Sequence, residues 1–354
     1  MKQLRETSKS LNMCDYYNEN SADYILSKHN KNALKAYHLN LSSFDLHKYE
    51  LLASLKCMKN KFSIILLTEV GKSSAEDIQH VFKDYLIFLD PALSSRGGAA
   101  ILVKKGQFKS VKISDQIRLN KKCNCSKCEI QNTWVEIETN KYKITVGCIY
   151  RHPKGNIDHF NSSFADSLKS INKKNLSIIG GDLNIDLIKF NIPTVDNYIN
   201  CCLENNFIHS ITVPTRITDH SATLIDHFLL KLPANLINTS TSSGVLINDI
   251  SDHLPCFLAI DINCISSSER PFTRIFSQNK INNFVNSLPS EQPLLSDLKM
   301  QKIDNFISGE SNEISNDLAF NQIFSQLVLN LQTLQNKYFP LIRVSKKKIK
   351  EKLY

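Results

Sequence analysis

Hydrophobic and polar positions change period repeatedly along the chain. Short apolar runs rich in Val, Ile and Leu predict strands over residues 34–41, 62–67, 85–89, 99–103, 133–137, 143–150, around Ile178, and over 222–230 and 256–262. Between them, apolar residues three and four apart predict amphipathic helices. One carries Phe44, Leu46, Tyr49, Leu52 and Leu55, and another Phe160, Phe164, Leu168 and Ile171 with Asp158 as its N-cap. A third carries Val195, Tyr198, Ile199, Cys202 and Leu203. Irregular mixing of strands and helices predicts an α+β protein, sheet on sheet with helices outside, not a βαβ series. Residues 1–32 have weak periodicity and read as a loosely ordered lead-in. Residues 33–263 form the main domain. Residues 264–354 predict a linker, at 266–271, and a helical extension, with one stripe on Ile281, Phe284, Val285 and Leu288. A longer stripe runs through Phe320, Ile323, Phe324, Leu327, Leu331 and Leu334, and these faces need a partner.

The 354 residues are 42% hydrophobic, with a mean hydropathy of −0.23, as expected of a soluble globular chain. No apolar run reaches the roughly 18–20 residues of a membrane span, and no apolar segment follows the N-terminal charges as a secretory signal requires. The net charge of +9 is compatible with a polyanionic partner. Part of it lies in a basic tail, Arg343, Lys346, Lys347, Lys348, Lys350 and Lys352, readable as a solvated run or as a nucleic-acid or nuclear-import segment. Ten cysteines without a signal peptide suggest reduced thiols inside a cell. Cys123, Cys125 and Cys128 have the spacing of zinc ligands, but no fourth ligand is near, and a plain loop is the favoured reading.

One segment suggests chemistry directly. Leu176-Ser177-Ile178-Ile179 runs into Gly180-Gly181 and then delivers Asp182 and Asn184, two residues apart. Glycine lets the backbone turn at a strand end, where both side chains can project from one side of the chain. A carboxylate and a carboxamide held there suit a water and a phosphate, or a metal. Asn40, Glu69, Tyr150, Asp226 and Asp252-His253 also fall at predicted strand ends. Each alone has a structural explanation, as a loop charge, a rim aromatic or a core histidine, but their joint placement favours a site.

In this order the residues resemble the endonuclease/exonuclease/phosphatase superfamily. Six flanking stretches resemble the endonuclease of non-LTR (LINE-type) retrotransposons: 38–43, 96–103, 149–153, 214–218, 221–226 and 249–255. Residues 338–348 resemble the linker that precedes the reverse transcriptase, which the chain lacks. Glu69 is followed by Val70-Gly71 where relatives more often carry Thr and an aromatic, and Leu183 replaces a usual Phe.

The resemblance implies a DNase I-like four-layer α/β/β/α sandwich with a C-terminal helical extension. It implies a divalent-metal-dependent DNA endonuclease, with Mg²⁺ (or Mn²⁺) held by Glu69, Asn40 and Asp252. Asp182 would activate water with Asn184, which also binds phosphate. His253, held by Asp226, would stabilise the phosphoryl group, Tyr150 would donate to it, and Arg151 would add positive charge. The implied product is a 3′-OH nick that primes reverse transcription by a polymerase supplied elsewhere, in the nucleus, with DNA as partner and no membrane. Two other readings remain, a phosphatase for small or lipid phosphates and a silent, transposon-derived nucleic-acid-binding or interaction protein.

Overall fold

A computed structural model describes residues 14–92, 96–114, 117, 119, 130–262, 272–273, 278–287, 333, 336–339 and 342–343. Two compact units divide at Ser266 and Ser267.

The first unit holds two large sheets. Seven strands form one: β1 (Asp15–Tyr17), β2 (Leu34–Asn40), β3 (Ile64–Thr68), β4 (Tyr85–Asp90), β5 (Ala99–Lys104), β14 (Thr241–Leu246) and β15 (Cys256–Ile260), in the order β1-β14-β15-β2-β3-β5-β4. The other has six: β6 (Ser110–Ile113), β7 (Ile130–Glu138), β8 (Lys143–Arg151), β9 (Leu176–Asp182), β10 (Ile208–His209) and β13 (Asp226–Lys231), ordered β10-β13-β9-β8-β7-β6. The pairs β2/β3, β8/β9 and β1/β14 are parallel and the rest antiparallel.

Side-chain alternation of period two decides what each face carries. In the first sheet Leu34, Ala36, Ile64, Leu66, Ile101 and Leu258 join the large core that also holds Val146, Cys148 and Ile178 of the second. Their neighbours Tyr37, Leu39, Ile65, Leu67, Leu102 and Phe257 form a separate core on the other face. There they meet Ala22 and Leu26 of α1 (Glu19–Ser27), Phe44, Leu51 and Leu55 of α2 (Phe44–Cys57), and Ile78 of α3 (Ala75–Val81). On the second sheet, α4 (Ile157–Ser170) and α5 (Pro193–Glu204) pack Phe160, Phe164 and Tyr198 together, with ring centroids 5.1–6.3 Å apart. The layers are therefore helix, sheet, sheet, helix, as expected.

Several local expectations are corrected. Residues 15–27 are not a loose lead-in: β1 pairs with β14, and α1, capped by Asn18, buries Ala22 and Leu26. In α2, Leu46 and Tyr49 are exposed, and the buried face is Phe44, Leu51, Ser54 and Leu55. Asn156, not Asp158, caps α4, accepting from two backbone N–H groups, and Asp158 sits in its first turn. The strand expected over 222–230 breaks at Leu224-Ile225 into β12 (Ser221–Thr223), which hairpins with β11 (Arg216–Thr218), and β13.

In the second unit, α6 (Gln278–Ser287) realises the first expected helix, with the Phe284 ring 5.4 Å from Tyr338 and 5.7 Å from Phe339. A two-residue pair joins β16 (Phe272–Thr273) to β17 (Ile342–Arg343). The longer helix, apart from Thr333, and Cys123, Cys125 and Cys128 lie outside the described residues. No helix among the described residues is long and apolar enough to cross a membrane.

Candidate active site

The parity that buries Leu34 and Ala36 between the sheets carries His38 and Asn40 to the same inner face at the end of β2. The same argument places Asp182 after Ile178 and Gly180 on β9, and Tyr150 after Cys148 on β8. Asp226 opens β13 directly opposite Asp182 in the antiparallel register. Four strands of two sheets thus deliver polar residues to one end of the sandwich. The two glycines permit the approach. A Cβ on Gly180 would meet Leu66 Cδ1 at 2.5 Å, and one on Gly181, whose φ is +150°, would meet the Ile149 carbonyl oxygen at 1.9 Å.

The residues touch. Asn40 Nδ2 donates to Asp182 Oδ2 at 2.8 Å and to Glu69 Oε1 at 3.1 Å. Asn184 Nδ2 donates to Asp182 Oδ2 at 3.0 Å and its backbone N–H to Oδ1 at 2.9 Å. Asp226 Oδ2 accepts from His253 Nδ1 at 2.8 Å and from Thr215 Oγ1 at 2.7 Å, while Oδ1 lies 3.0 Å from His38 Nε2. Glu69, Asp182, Asn184, Asp252 and His253 share one cavity of about 420 Å³ with Ser42, Arg96 and Arg216. Three of its residues, Ser42, Glu69 and Asn184, take left-handed φ of 54°, 52° and 49°. That conformation costs a non-glycine residue of order 1–3 kcal/mol, and here hydrogen bonds from neighbouring strands hold it.

The electrostatics follow from two buried acids facing each other across a strand pair, an arrangement that destabilises unless cations intervene. Burial foremost, then the charge of Asp226, pushes Asp182 up to about 7 against the pull of His253. Burial would also raise Asp226, but the charge and hydrogen bond of His253, then those of His38, hold it below the usual carboxylate range. For His253, burial opposes the charge, yet Asp226, Asp182 and Asp252 together lift it to about 9. The site pairs a carboxylate titrating near neutrality with an imidazolium that survives there. Environments that push titrating groups apart in this way assign acid and base roles.

Three expected roles change. Arg151 does not face the cavity. It is 1% exposed, and its guanidinium donates to the carbonyls of Leu183, Asn184, His152 and Gly155 at 2.6–3.2 Å. It locks the loop after β9. Asn40 presents its NH₂, not its oxygen, to the carboxylates. The Ser42 backbone N–H, 2.9 Å from Oδ1, fixes that orientation, so in this arrangement Asn40 positions Glu69 and Asp182. Tyr150 is 2% exposed and does not line the cavity. Its phenol is raised by burial first, then by the charges of Glu69 and Asp182 and a hydrogen bond to Glu69.

Asp252 stands on the rim, accepting from Ser42 Oγ at 3.1 Å and paired with Arg216 at 2.7 Å. Among the described residues no group of three His, Cys, Asp or Glu side chains is arranged to hold a metal. A hard divalent cation such as Mg²⁺ nevertheless needs only one or two carboxylates when water and phosphate supply its other oxygens. Glu69 beside a buried Asp182 whose ionisation is suppressed is a donor set that such a cation would relieve, so the residues fit it.

His38, Thr215, Ser42, Arg96 and Arg216 carry no expected role. His38 was legible only by parity, two residues before Asn40, and Thr215 only as part of the stretch 214–218.

No protein-family model matches the sequence, and no curated protein does. Solved structures do. The endonuclease domain of TRAS1, a telomere-specific non-LTR retrotransposon, aligns with a TM-score of 0.52 at 19% identity, over 65% of this chain and 99% of that one. An AP endonuclease from Archaeoglobus fulgidus gives 0.50 at 16%, over 65% and 100%. A mannosyl-6-phosphatase from Bacteroides thetaiotaomicron gives 0.50 at 14%, over 64% and 99%. A fold that hosts both nucleases and phosphatases leaves the reaction to be argued from the site. Two face-to-face sheets, helices outside both, and these neighbours together establish that the chain has the DNase I-like fold of the endonuclease/exonuclease/phosphatase proteins.

Proposed function

We propose that this chain is a divalent-metal-dependent endonuclease that hydrolyses a DNA phosphodiester and leaves a 3′-OH. The observation that carries the reading is the hydrogen-bonded convergence of Glu69, Asn40, Asp182, Asn184, Asp226 and His253 around one cavity. Glu69, with water and substrate oxygens, would hold Mg²⁺ or Mn²⁺. When bound, that cation supplies positive charge to the phosphoryl and leaving oxygens. Asp252, tied to Arg216, shapes the rim opposite.

The remaining steps belong to side chains. Asp182 accepts the proton of the attacking water, with its carboxylate fixed by Asn40 and Asn184. A base titrating near 7 is largely ionised at slightly alkaline pH and still basic enough to take that proton. His253 spends Nδ1 on Asp226, which leaves Nε2 for a phosphoryl oxygen, and its charge stabilises the negative charge that develops there. Asp226 holds the imidazole in orientation, and His38 and Thr215 hold Asp226. Tyr150 orients Glu69 from beneath. A free 3′-OH is the end that a reverse transcriptase extends, in keeping with the retrotransposon resemblance.

The test is nicking of supercoiled plasmid in Mg²⁺, with and without EDTA, beside hydrolysis of an inositol phosphate. EDTA-sensitive nicking without inositol phosphate hydrolysis supports the reading. Inositol phosphate hydrolysis without nicking replaces it by a phosphatase, and inertness toward both refutes it.

A further inference from the structure

The opposite end of the first unit carries a groove of about 610 Å³ where β2 and β3 begin. Lys31, Lys35, Lys59, Lys61, Lys104 and Lys105 line it with His29, and among the described residues no carboxylate does. Lys35 and Asn40 stand at opposite ends of β2. At about 3.3 Å per residue they lie roughly 17 Å apart. The groove is thus separate from the acidic cavity.

Three of these lysines are anchored on neutral acceptors, so their charge is kept. Lys35, 5% exposed, donates to Asn60 Oδ1 at 2.7 Å, and Lys105 donates to the Lys83 carbonyl at 2.7 Å. Lys61 donates to the carbonyls of Leu55, Lys56 and Met58 at the end of α2, where the helix dipole favours a cation. Among the described residues, the ammonium groups of Lys31, Lys59 and Lys104 make no hydrogen bond or ion pair. Nearby acids are already engaged. Asp23 accepts from the backbone N–H groups of Lys59 and Asn60, and Asp261 accepts from that of Asn30. Gly106 closes the turn after β5 with φ of +72°, and a Cβ there would meet nothing within 4 Å, so the groove stays open beside it. Six lysines against the Asp23 and Asp261 carboxylates leave a net positive charge on a concave wall, which focuses a positive field outward.

We propose that this groove binds the phosphate backbone of a single nucleic-acid strand. Lysine ammoniums act as point charges, where arginine would give a bidentate fork. Among the described residues no Phe, Tyr or Trp lines the groove, so the contact is with phosphates more than with stacked bases. The lysines come from three chain segments, 31–35, 59–61 and 104–105, which suits a run of phosphates better than one. The concavity suits a strand better than the convex rod of a duplex.

The test measures binding of a labelled oligothymidylate to the full chain by fluorescence anisotropy across a salt series. EDTA is present throughout, so the answer is independent of cleavage. The variant Lys31→Gln/Lys59→Gln/Lys104→Gln is compared with Lys48→Gln/Lys169→Gln/Lys189→Gln, which removes the same charge from salt-bridged sites elsewhere. Circular dichroism checks that both fold. The groove variant is expected to bind about tenfold or more weakly at low salt, with the slope of log K against log salt smaller by about 2. The control variant should change little. Equal losses in both variants, no loss in either, or loss confined to a duplex probe would overturn the proposal.

Discussion

The two ends of the sandwich share strands β2 and β3 and treat charge in opposite ways. At the end of β2 that carries Asn40, two acids are forced together inside the protein. Both acids are engaged, Asp182 by two amides and Asp226 by two histidines and a threonine. At the other end, Lys35 shares its groove with ammonium groups that have no partner among the described residues. The first arrangement fixes geometry, which bond-breaking chemistry demands to within fractions of an ångström. The second keeps only charge, which is sufficient for binding a backbone by salt-dependent attraction. Satisfied networks mark the place where atoms must be positioned, and unsatisfied like charges mark the place where a ligand completes the structure.

The contrast is broken most severely at Asp182. Asp182→Asn should lower plasmid nicking by about 10²–10⁴-fold, the usual share of a positioned base. The same change should stabilise the metal-free protein at pH 8. Burial lifts the folded Asp182 to about 7 from an ordinary value of 3.8. Stability therefore falls as pH rises between those values, and above them the ionised group costs on the order of a few kcal/mol. Urea denaturation at pH 5 and pH 8 checks the sign. A variant less stable than wild type at pH 8 would mean that Asp182 contributes to the fold.

Next in size is Arg151→Ala. It would leave the buried Leu183 carbonyl and three partly buried ones without their donor and should destabilise the fold by about 3–5 kcal/mol in urea melts. A loss below about 1 kcal/mol would return Arg151 to the solvent and to the substrate.

The pH profile sharpens the acidic end further. Activity should rise as Asp182 ionises, with a limb at or below about 7 that bound cation would lower, and fall as His253 loses its proton near 9. His253 also carries a stability signature. Its folded value lies above 6.5, so its contribution is complete below pH 6.5 and lost as pH rises through about 9. Asp226→Asn removes the charge that does most to raise His253 and should move the alkaline limb downward. An unmoved limb would detach Asp226 from His253.

The smallest effect is expected at the rim. The Arg216–Asp252 pair is 37% and 46% exposed, and Arg216→Gln should change stability by less than about 1 kcal/mol.

How far the sequence revealed this follows from period. Strands whose faces are both buried, such as β2, β3 and β9, read clearly as apolar runs, and the Gly180-Gly181-Asp182 junction marked the site because glycine is required where backbones approach closely. What stayed hidden depends on partners distant in the chain. β1 is three residues long and exists because β14 accepts it 229 residues later. The resemblance gave Arg151 the role of adding positive charge at the site, because sequence cannot tell a guanidinium facing solvent from one buried on carbonyls. His38 lay two residues from Asn40, but its contact with Asp226 is 188 residues away. The lysine groove draws on three segments, none of which is a basic run.

The most direct test is the chemistry of the product ends. Plasmid nicked by the protein in Mg²⁺ is offered, without repair, to a DNA polymerase with labelled nucleotides. The account predicts immediate extension from the nick by wild type and none after treatment with Asp182→Asn. Nicks that need a phosphatase before they can be extended, or equal extension after treatment with the variant, would contradict it.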